Sequence, residues 1–383
     1  MATYLWAKLL AKSGQNVKVV TNKFRLEPER SKETNLEIFR LPILPARATG
    51  KYPLLARFDV LLSTFIKKAL SWADVVYVPR HWYSSIPVAK AYGKTVITHL
   101  HDYSPICSLA TLYDLSRNRM CDLRSFCHPS CLVAHEAAFG RNSLQVLGSS
   151  LLNLTIWRRV GRLVQLSDAI LCVSRAQRNL IVEGMSSVGK RCHAVYNPLP
   201  PVSQLDIKGD DFGYFGGPSV LKGFDLLRSA LKLVNSMPQI HATGFDLSRP
   251  TTSTLRGDSR IIFHERVAES DLHKIYETIR AVIVPSIWAE PSGYVVAEAM
   301  LQGRLVIASK VGGIPELAND CPGAFLFRAG DCGHLADLID HVTALESDAV
   351  LDLAAKNKRI FLRRFSDEQA LESFMNVLEK SRA

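Results

Sequence analysis

From Asp210 onward the chain alternates short apolar runs with longer stretches of helical periodicity, and this alternation limits the folds open to it. A short apolar run followed by a helical stretch is typical of a βαβ unit. Repetition of that unit predicts a parallel sheet wrapped in helices. The strands predicted in this half are residues 212–217, 239–245, 260–265, 281–285, 304–309 and 323–328.

The first half repeats the same pattern, with predicted strands at 16–22, 74–80, 94–102 and 168–174. A chain of 383 residues is long enough for two domains of ordinary size. We therefore predict an α/β protein of two Rossmann-like parallel-sheet domains facing a cleft. The predicted domains are residues 1–200 and 201–364, and 365–383 forms a helix that returns to the first domain. Ligands of such sheets bind beyond the carboxyl ends of the strands.

The segment 281–300 joins an apolar strand, a loop and a helix, and it carries two carboxylates separated by seven residues, Glu290 and Glu298. The predicted helix start at Ser292, Gly293 and Tyr294 presents backbone N–H groups and a partial positive charge, which suit a phosphate. Each carboxylate can accept hydrogen bonds from two neighbouring hydroxyls. The segment thus predicts a site for a ligand with both diols and phosphates, such as a nucleotide sugar.

Two further motifs follow this segment, GRLVIAS at 303–309 and GGIPE at 312–316. Together with the Glu-x7-Glu spacing they resemble the family 4 glycosyltransferases, retaining hexosyltransferases of the GT-B fold. One departure is Leu305, where family members usually have proline. The resemblance implies that a sugar moves from a nucleotide-diphosphate sugar to a glycan or lipid-linked acceptor in polysaccharide or glycoconjugate biosynthesis, without a metal or other cofactor. Glu290 would hold the sugar and Glu298 the ribose.

The segment FGGPSVLKGFD resembles the family's phosphate-binding pattern at Gly216, Lys222 and Gly223. A lysine at a helix start is a point charge suited to a diphosphate. The family's arginine is replaced by Gly217, so one of two phosphate-neutralising cations is lost. A lysine merely solvated before a helix is the alternative.

His101 ends a predicted strand, where it can donate a hydrogen bond to a sugar hydroxyl in the cleft. The resemblance implies that it meets the donor sugar at the reaction centre, and a structural role is the alternative. We expect His99 to point to the opposite face of the sheet.

Relatives have a strand and a glycine-rich loop before the first helix, and neither precedes the helix TYLWAKLLAKSG here. We expect a further strand and Gly-Gly loop to be encoded upstream in frame. Two alternatives to transfer remain. The missing loop and Gly217 favour an inactive remnant that binds a nucleotide sugar, and the other alternative is a sugar-nucleotide epimerase, against which the GGIPE context argues.

Four of the eight cysteines, Cys107, Cys121, Cys127 and Cys131, lie close together in sequence, with His128 among them. Their spacing matches no standard zinc finger, and zinc binding, free thiols and disulfides all remain open.

The net charge of +11 is uneven, with +15 in residues 1–200 and −4 in the remainder. Motifs for nucleic-acid binding are missing, so an anionic lipid surface or acceptor is the better partner. The basic helical stretches 53–72 and 156–166 are candidates for that contact, although their apolar sides also suit packing on the sheet. Without a signal-peptide pattern or an apolar run of membrane-spanning length, we expect a cytoplasmic protein, peripheral at the inner face of the membrane.

Overall fold

The computed structural model describes residues 2–22, 28–41, 63–79, 82–123, 129–138, 143–202, 204–247, 258–267 and 269–382. The chain divides into two units. The first combines Met1–Pro198 with Asp367–Ala383, and the second is Leu199–Ser366.

The described strands of the first unit form three sheets. Strands β1 (Val17–Asn22), β2 (Arg30–Glu33) and β3 (Leu36–Leu41) form one sheet in the order β1-β3-β2, with β2 antiparallel to β3. The four-stranded parallel sheet has the order β4-β5-β8-β9. The strands β6 and β7 form a short hairpin between them in sequence. The bounds of these six strands are β4 Val75–Pro79, β5 Thr95–Leu100, β6 Tyr113–Asp114, β7 Arg119–Met120, β8 Ala169–Cys172 and β9 Cys192–Ala194.

One helix of the first unit packs on both larger sheets. Helix α1 (Ala2–Lys12) places Trp6 in a core with Ile97 and Leu171 of the four-stranded sheet. Its other face places Ala7 and Ala11 against Leu36 and Ile38 of β3. The C-terminal helix Asp367–Arg382 adds Phe374 to the Trp6 core, with ring centroids 5.2 Å apart. The other helices are α2 Thr64–Trp72, α3 Ser85–Ala91, α4 Pro129–Ala138, α5 Ser143–Val164 and α6 Arg175–Gly184.

The second unit is built on one six-stranded parallel sheet in the order β12-β11-β10-β13-β14-β15. Numbered within the unit this order is 3-2-1-4-5-6, that of a dinucleotide-binding fold, whose switch point lies between β10 and β13. The strands are β10 Asp211–Tyr214, β11 Ile240–Thr243, β12 Ile261–His264, β13 Ile279–Val284, β14 Leu305–Ser309 and β15 Ala324–Phe327. Every residue of β13 and β14 is buried, as expected for strands covered on both faces.

Helices cover the sheet of the second unit: α7 Phe224–Leu231, α8 Glu269–Thr278, α9 Tyr294–Leu301, α10 Ile314–Ala318, α11 Cys332–Thr343 and α12 Ser347–Arg364. The predicted α/β class with two parallel-sheet domains is therefore confirmed. The β2–β3 hairpin was not predicted, because β2 has the sequence RSKE and is mostly exposed, so no apolar period marks it. Among the described residues, no helix is long and apolar enough to cross a bilayer.

Candidate functional site

The candidate site of the second unit lies where the strand order reverses. Strands β10 and β13 are neighbours there, and their next connections run to opposite sides of the sheet. The loop after β10 carries Lys222, and the loop after β13 carries Glu290. Parallel strands end at the same edge, so both side chains are brought to one place although 68 residues separate them.

The loop after β10 packs so closely that two of its glycines have no room for a side chain. A Cβ on Gly216 would collide with the Tyr214 hydroxyl and stand 2.9 Å from Lys222 Cβ. A Cβ on Gly223 would overlap the carbonyl oxygen of Pro285, and Gly223 has a left-handed φ of 78°. This glycine joins the short 3₁₀ turn Val220–Lys222 to helix α7. The predicted phosphate loop is thereby held against the end of β13.

Gly217 also has a left-handed φ, 60°, where a side chain is disfavoured. Its carbonyl accepts a hydrogen bond from the buried Tyr214 hydroxyl at 2.9 Å. The position at which the family has an arginine is therefore a tight turn in this chain. Lys222 is the charged side chain that this loop contributes to the site.

Glu290 is the most densely bonded side chain of the predicted site. Its Oε2 accepts hydrogen bonds from Lys222 Nζ at 2.7 Å, Trp288 Nε1 at 3.0 Å and Ser286 Oγ at 3.3 Å. The residue is only 8% exposed, and burying a polar group costs free energy unless donors such as these bond it. Lys222 is more accessible, with a side chain 37% exposed against 11% for Glu290.

The backbone of Glu290 is held by the GGIPE segment. Gly313 N donates to Glu290 O at 2.8 Å, and Gly312, at φ 53°, approaches so closely that a Cβ there would overlap the Glu290 backbone. Ile287 N bonds Leu221 O at 3.0 Å and ties the two strand-end loops together. Three loops from different strands thus fix the position of one carboxylate.

The predicted helix start lies directly after this loop. Gly293, at φ 72°, caps helix α9, which begins at Tyr294. Ser292 and Tyr294 are half-buried on either side of it. The N–H groups of a first helical turn cannot be paired by the helix itself, so this end suits an anion.

Glu298 lies inside α9 and is half-buried. Burial, followed by the charge of Glu298, raises the pKa of Tyr276, so this phenol stays protonated near neutral pH.

His101, in the first unit, follows β5 and stacks on His99 with ring centroids 4.6 Å apart. The expectation that His99 points to the opposite face is wrong, because residues two apart along a strand share a face. His99 is fully buried, and its Nδ1 lies 2.7 Å from the Tyr77 hydroxyl. Burial, and then His101, keep the pKa of His99 well below its usual value, so His99 is neutral beneath His101.

The described cysteines of the first unit are free thiols, including Cys107, Cys121 and Cys131. A hydrogen bond with Cys131, together with burial, raises the pKa of the Cys121 thiol. Within the described ranges no group of three or more potential ligands is arranged to hold a metal ion. Cys127 and His128 lie outside the described residues.

The first basic helical stretch is described from residue 63 onward, where α2 buries Ile66 and Leu70 and exposes Lys67 and Lys68. In the second stretch α5 exposes Arg159 and Arg162 and buries Val160 and Val164. In both stretches the basic side chains named here are exposed, and the apolar side chains named beside them are buried.

Ser286 and Trp288 contact Glu290 but were not singled out from the sequence. Both lie within four residues of Glu290, yet a tryptophan after an apolar strand usually indicates core packing. The sequence feature that could have indicated the Trp288 contact is the indole N–H, since a buried Trp N–H usually donates to a hydrogen-bond acceptor.

Comparison with known families agrees with this arrangement. A sequence model described as Glycosyltransferase Family 4 matches residues 2–201, and one described as Glycosyl transferases group 1 matches residues 209–344. Two Rossmann-like parallel-sheet domains in one chain are the architecture of the GT-B class of glycosyltransferases. The chain belongs to glycosyltransferase family 4.

Among curated relatives, D-inositol 3-phosphate glycosyltransferase of Mycolicibacterium smegmatis is 29% identical over 165 residues, 41% of this chain and 38% of that protein. The chain spans 36% to 60% of the length of the first three curated relatives that it matches.

Two solved structures share the fold. Sucrose-phosphate synthase from Thermosynechococcus elongatus has a TM-score of 0.70 at 16% identity, over 98% of this chain and 91% of that one. Anabaena HepE in complex with UDP and glucose has a TM-score of 0.63 at 15% identity, over 99% of this chain and 96% of that one.

Proposed function

We propose that this protein is a retaining glycosyltransferase that moves a sugar from a nucleotide-diphosphate sugar to a glycan or lipid-linked acceptor. The observation that carries the proposal is the pairing of Lys222 with Glu290 at the switch point, in a chain of glycosyltransferase family 4. HepE, which shares the fold, was crystallised with UDP and glucose, so a UDP-sugar is the first donor to test.

Departure of the nucleoside diphosphate builds positive charge on the sugar and negative charge on the leaving phosphate. Stabilising that phosphate is the main electrostatic task. Lys222 and the start of α9 supply a cation and backbone N–H groups for it. The proposed mechanism needs no metal, so we expect transfer to persist in EDTA; its abolition would contradict this part of the proposal.

The two glutamates have different proposed roles. Glu290 holds sugar hydroxyls and orients the ring for attack, because its position is fixed by three donors and by the GGIPE backbone. Glu298 holds the ribose diol. His101 of the first unit, with neutral His99 behind it, donates a hydrogen bond to the donor sugar.

Isosteric variants separate the two glutamates. We expect Glu290→Gln to retain UDP binding and to lower kcat by about 10²-fold, the effect of removing one positioned electrostatic group. Glu298→Gln is expected to weaken UDP binding itself. Glu346→Gln, at an exposed glutamate of the same unit, is the control. Equal loss of binding and turnover in both variants would refute the division of roles.

Donor identity is tested by thermal shift with UDP-, GDP- and ADP-sugars. A rise in melting temperature with one nucleotide and no other would identify the base. No shift with any of them would contradict the proposal that the second unit holds a nucleotide sugar.

The proposal of a lipid-linked acceptor rests on the positive charge of residues 1–200. Residues 1–200 carry +15, and Lys67 and Lys68 are exposed on α2. A peripheral contact with the anionic inner face of the cytoplasmic membrane would place the protein beside a lipid-linked acceptor. Co-sedimentation with anionic vesicles that is lost at high salt supports this contact; equal sedimentation with neutral vesicles contradicts it.

A further inference from the structure

The three donors on Glu290 differ in how they can respond to a bound diphosphate. Lys222 Nζ, Trp288 Nε1 and Ser286 Oγ all bond the same oxygen, Oε2. The carboxylate is thus held through this oxygen by all three donors.

Lys222 is the mobile member of the three. Its side chain is 37% exposed, and a lysine carries its charge at the end of a flexible stem. A diphosphate carries more negative charge than one carboxylate, so it competes for the ammonium. Because the ammonium end of the pair is accessible to water, the new contact with the diphosphate can offset the loss of the ion pair.

Trp288 cannot follow Lys222. It lies two residues before Glu290, and its half-buried ring lies 5.5 Å from Lys222 Nζ. Its N–H is aimed at Oε2 from a rigid plane with only two side-chain torsions. When the lysine leaves, the buried carboxylate still requires a donor. Of the two donors that remain, the indole N–H lies closer to Oε2, at 3.0 Å, than the Ser286 hydroxyl does, at 3.3 Å.

We propose that Trp288 is a positioning residue, which holds the Glu290 carboxylate in place after the donor diphosphate draws Lys222 out of its ion pair. This inference rests on the proposed function. The Lys222–Glu290 pair is then the arrangement of the site before donor binding, and donor binding exchanges the partner of Lys222.

The variant that isolates the N–H is Trp288→Phe, which keeps an aromatic ring and removes the donor. We expect kcat to fall about 10- to 100-fold, the size of effect seen for a hydrogen bond to a charged group, with the Kd for UDP unchanged. Tyr92→Phe, which likewise removes a donor and keeps the ring at an exposed position of the first unit, is the control and keeps wild-type turnover. Wild-type kcat in Trp288→Phe would overturn the proposal, as would loss of UDP binding, which would assign the ring to nucleotide stacking.

A second readout does not depend on turnover. Trp288 is the only tryptophan in residues 199–383, and its indole ¹⁵N–¹H signal is identified by its disappearance in Trp288→Phe. Glu290→Gln is expected to move this signal upfield, because a neutral acceptor weakens the hydrogen bond. UDP is expected to leave it hydrogen-bonded in the wild type. An indole signal that does not shift in Glu290→Gln, or that shows loss of the hydrogen bond when UDP is added, would overturn the positioning role.

A separate experiment tests whether Lys222 exchanges Glu290 for the diphosphate. If the ion pair opposes diphosphate binding, Glu290→Gln releases Lys222 and binds UDP up to about fivefold more tightly. Weaker binding would overturn the exchange. An absence of transfer by the wild type with every donor would refute the proposed function, while the indole signal and the UDP affinities would still decide the inference.

Discussion

Arg304 is a fully buried arginine that lies in the loop before β14. Its guanidinium donates to the carbonyls of Tyr276 at 2.8 Å and Gln302 at 2.7 Å, within the unit. It also donates to those of Leu205 at 2.8 Å and Asp206 at 2.9 Å, in the segment that enters the second unit. Burial lowers the pKa of Arg304 to about 10, which leaves it charged near neutral pH.

We predict that Arg304→Met destabilises the second unit. Leu205 and Asp206 are not buried, so water can replace Arg304 as the donor to their carbonyls. Tyr276 and Gln302 are buried, so water cannot replace it there. Each buried carbonyl left without a donor costs about 1–3 kcal/mol, and two cost about 2–6 kcal/mol. Removing a buried charge that has no carboxylate partner offsets part of this loss. We therefore expect the free energy of unfolding to fall by about 2–4 kcal/mol.

The assay is urea denaturation followed by tryptophan fluorescence. The transition of the second unit is read from Trp288, with the four other tryptophans, all in residues 1–198, replaced by phenylalanine in both proteins. Arg359→Met, at an exposed arginine of α12, is the control and is expected to change the free energy of unfolding by less than about 0.5 kcal/mol. A loss below about 1 kcal/mol in Arg304→Met would refute the reasoning, since it would mean that the buried carbonyls find other partners.

Two further predictions concern the rest of the second unit. Gly312→Ala places a Cβ against the Glu290 backbone at a left-handed φ of 53°, so we expect a lower melting temperature and weaker UDP binding; wild-type values for both would contradict the tight packing of this loop. Burial opposes ionisation of Asp340, but hydrogen bonds from Ser236 and Asn235 outweigh it and lower its pKa from 3.8 to about 2. Its stabilising contribution is therefore present above about pH 4 and lost as the pH falls toward 2. The difference in urea midpoint between wild type and Asp340→Asn should shrink over that range, and a constant difference would contradict the assignment.

The strands were the most predictable part of the fold. All ten strands predicted from short apolar runs are present in the structure. They were predictable because a buried strand needs apolar residues, which the sequence shows directly. The β2–β3 hairpin was missed because its first strand is polar and exposed. The orientation of His99 relative to His101 was predicted wrongly, although the period of a strand determines it.

The site was predictable only in part. Glu290, Glu298 and the start of α9 lie in one continuous segment, so their relation to the helix could be read from spacing. The hydrogen bond from Trp288 to Glu290 could not be predicted, because it depends on the orientation of an indole ring that also suits core packing. Cys107, Cys121 and Cys131 are free thiols, whereas the zinc hypothesis also involves Cys127 and His128, which lie outside the described residues.

The sequence by itself determined ten of the described strands, and that Lys222 and Glu290 each follow a strand of a parallel sheet. These properties depend on patterns a few residues long. Only the tertiary structure decided that β10 and β13 are neighbours, and hence that the lysine pairs with Glu290 rather than with Glu298. Strand order depends on packing between segments far apart in the chain, and short-range periodicity contains no information about it.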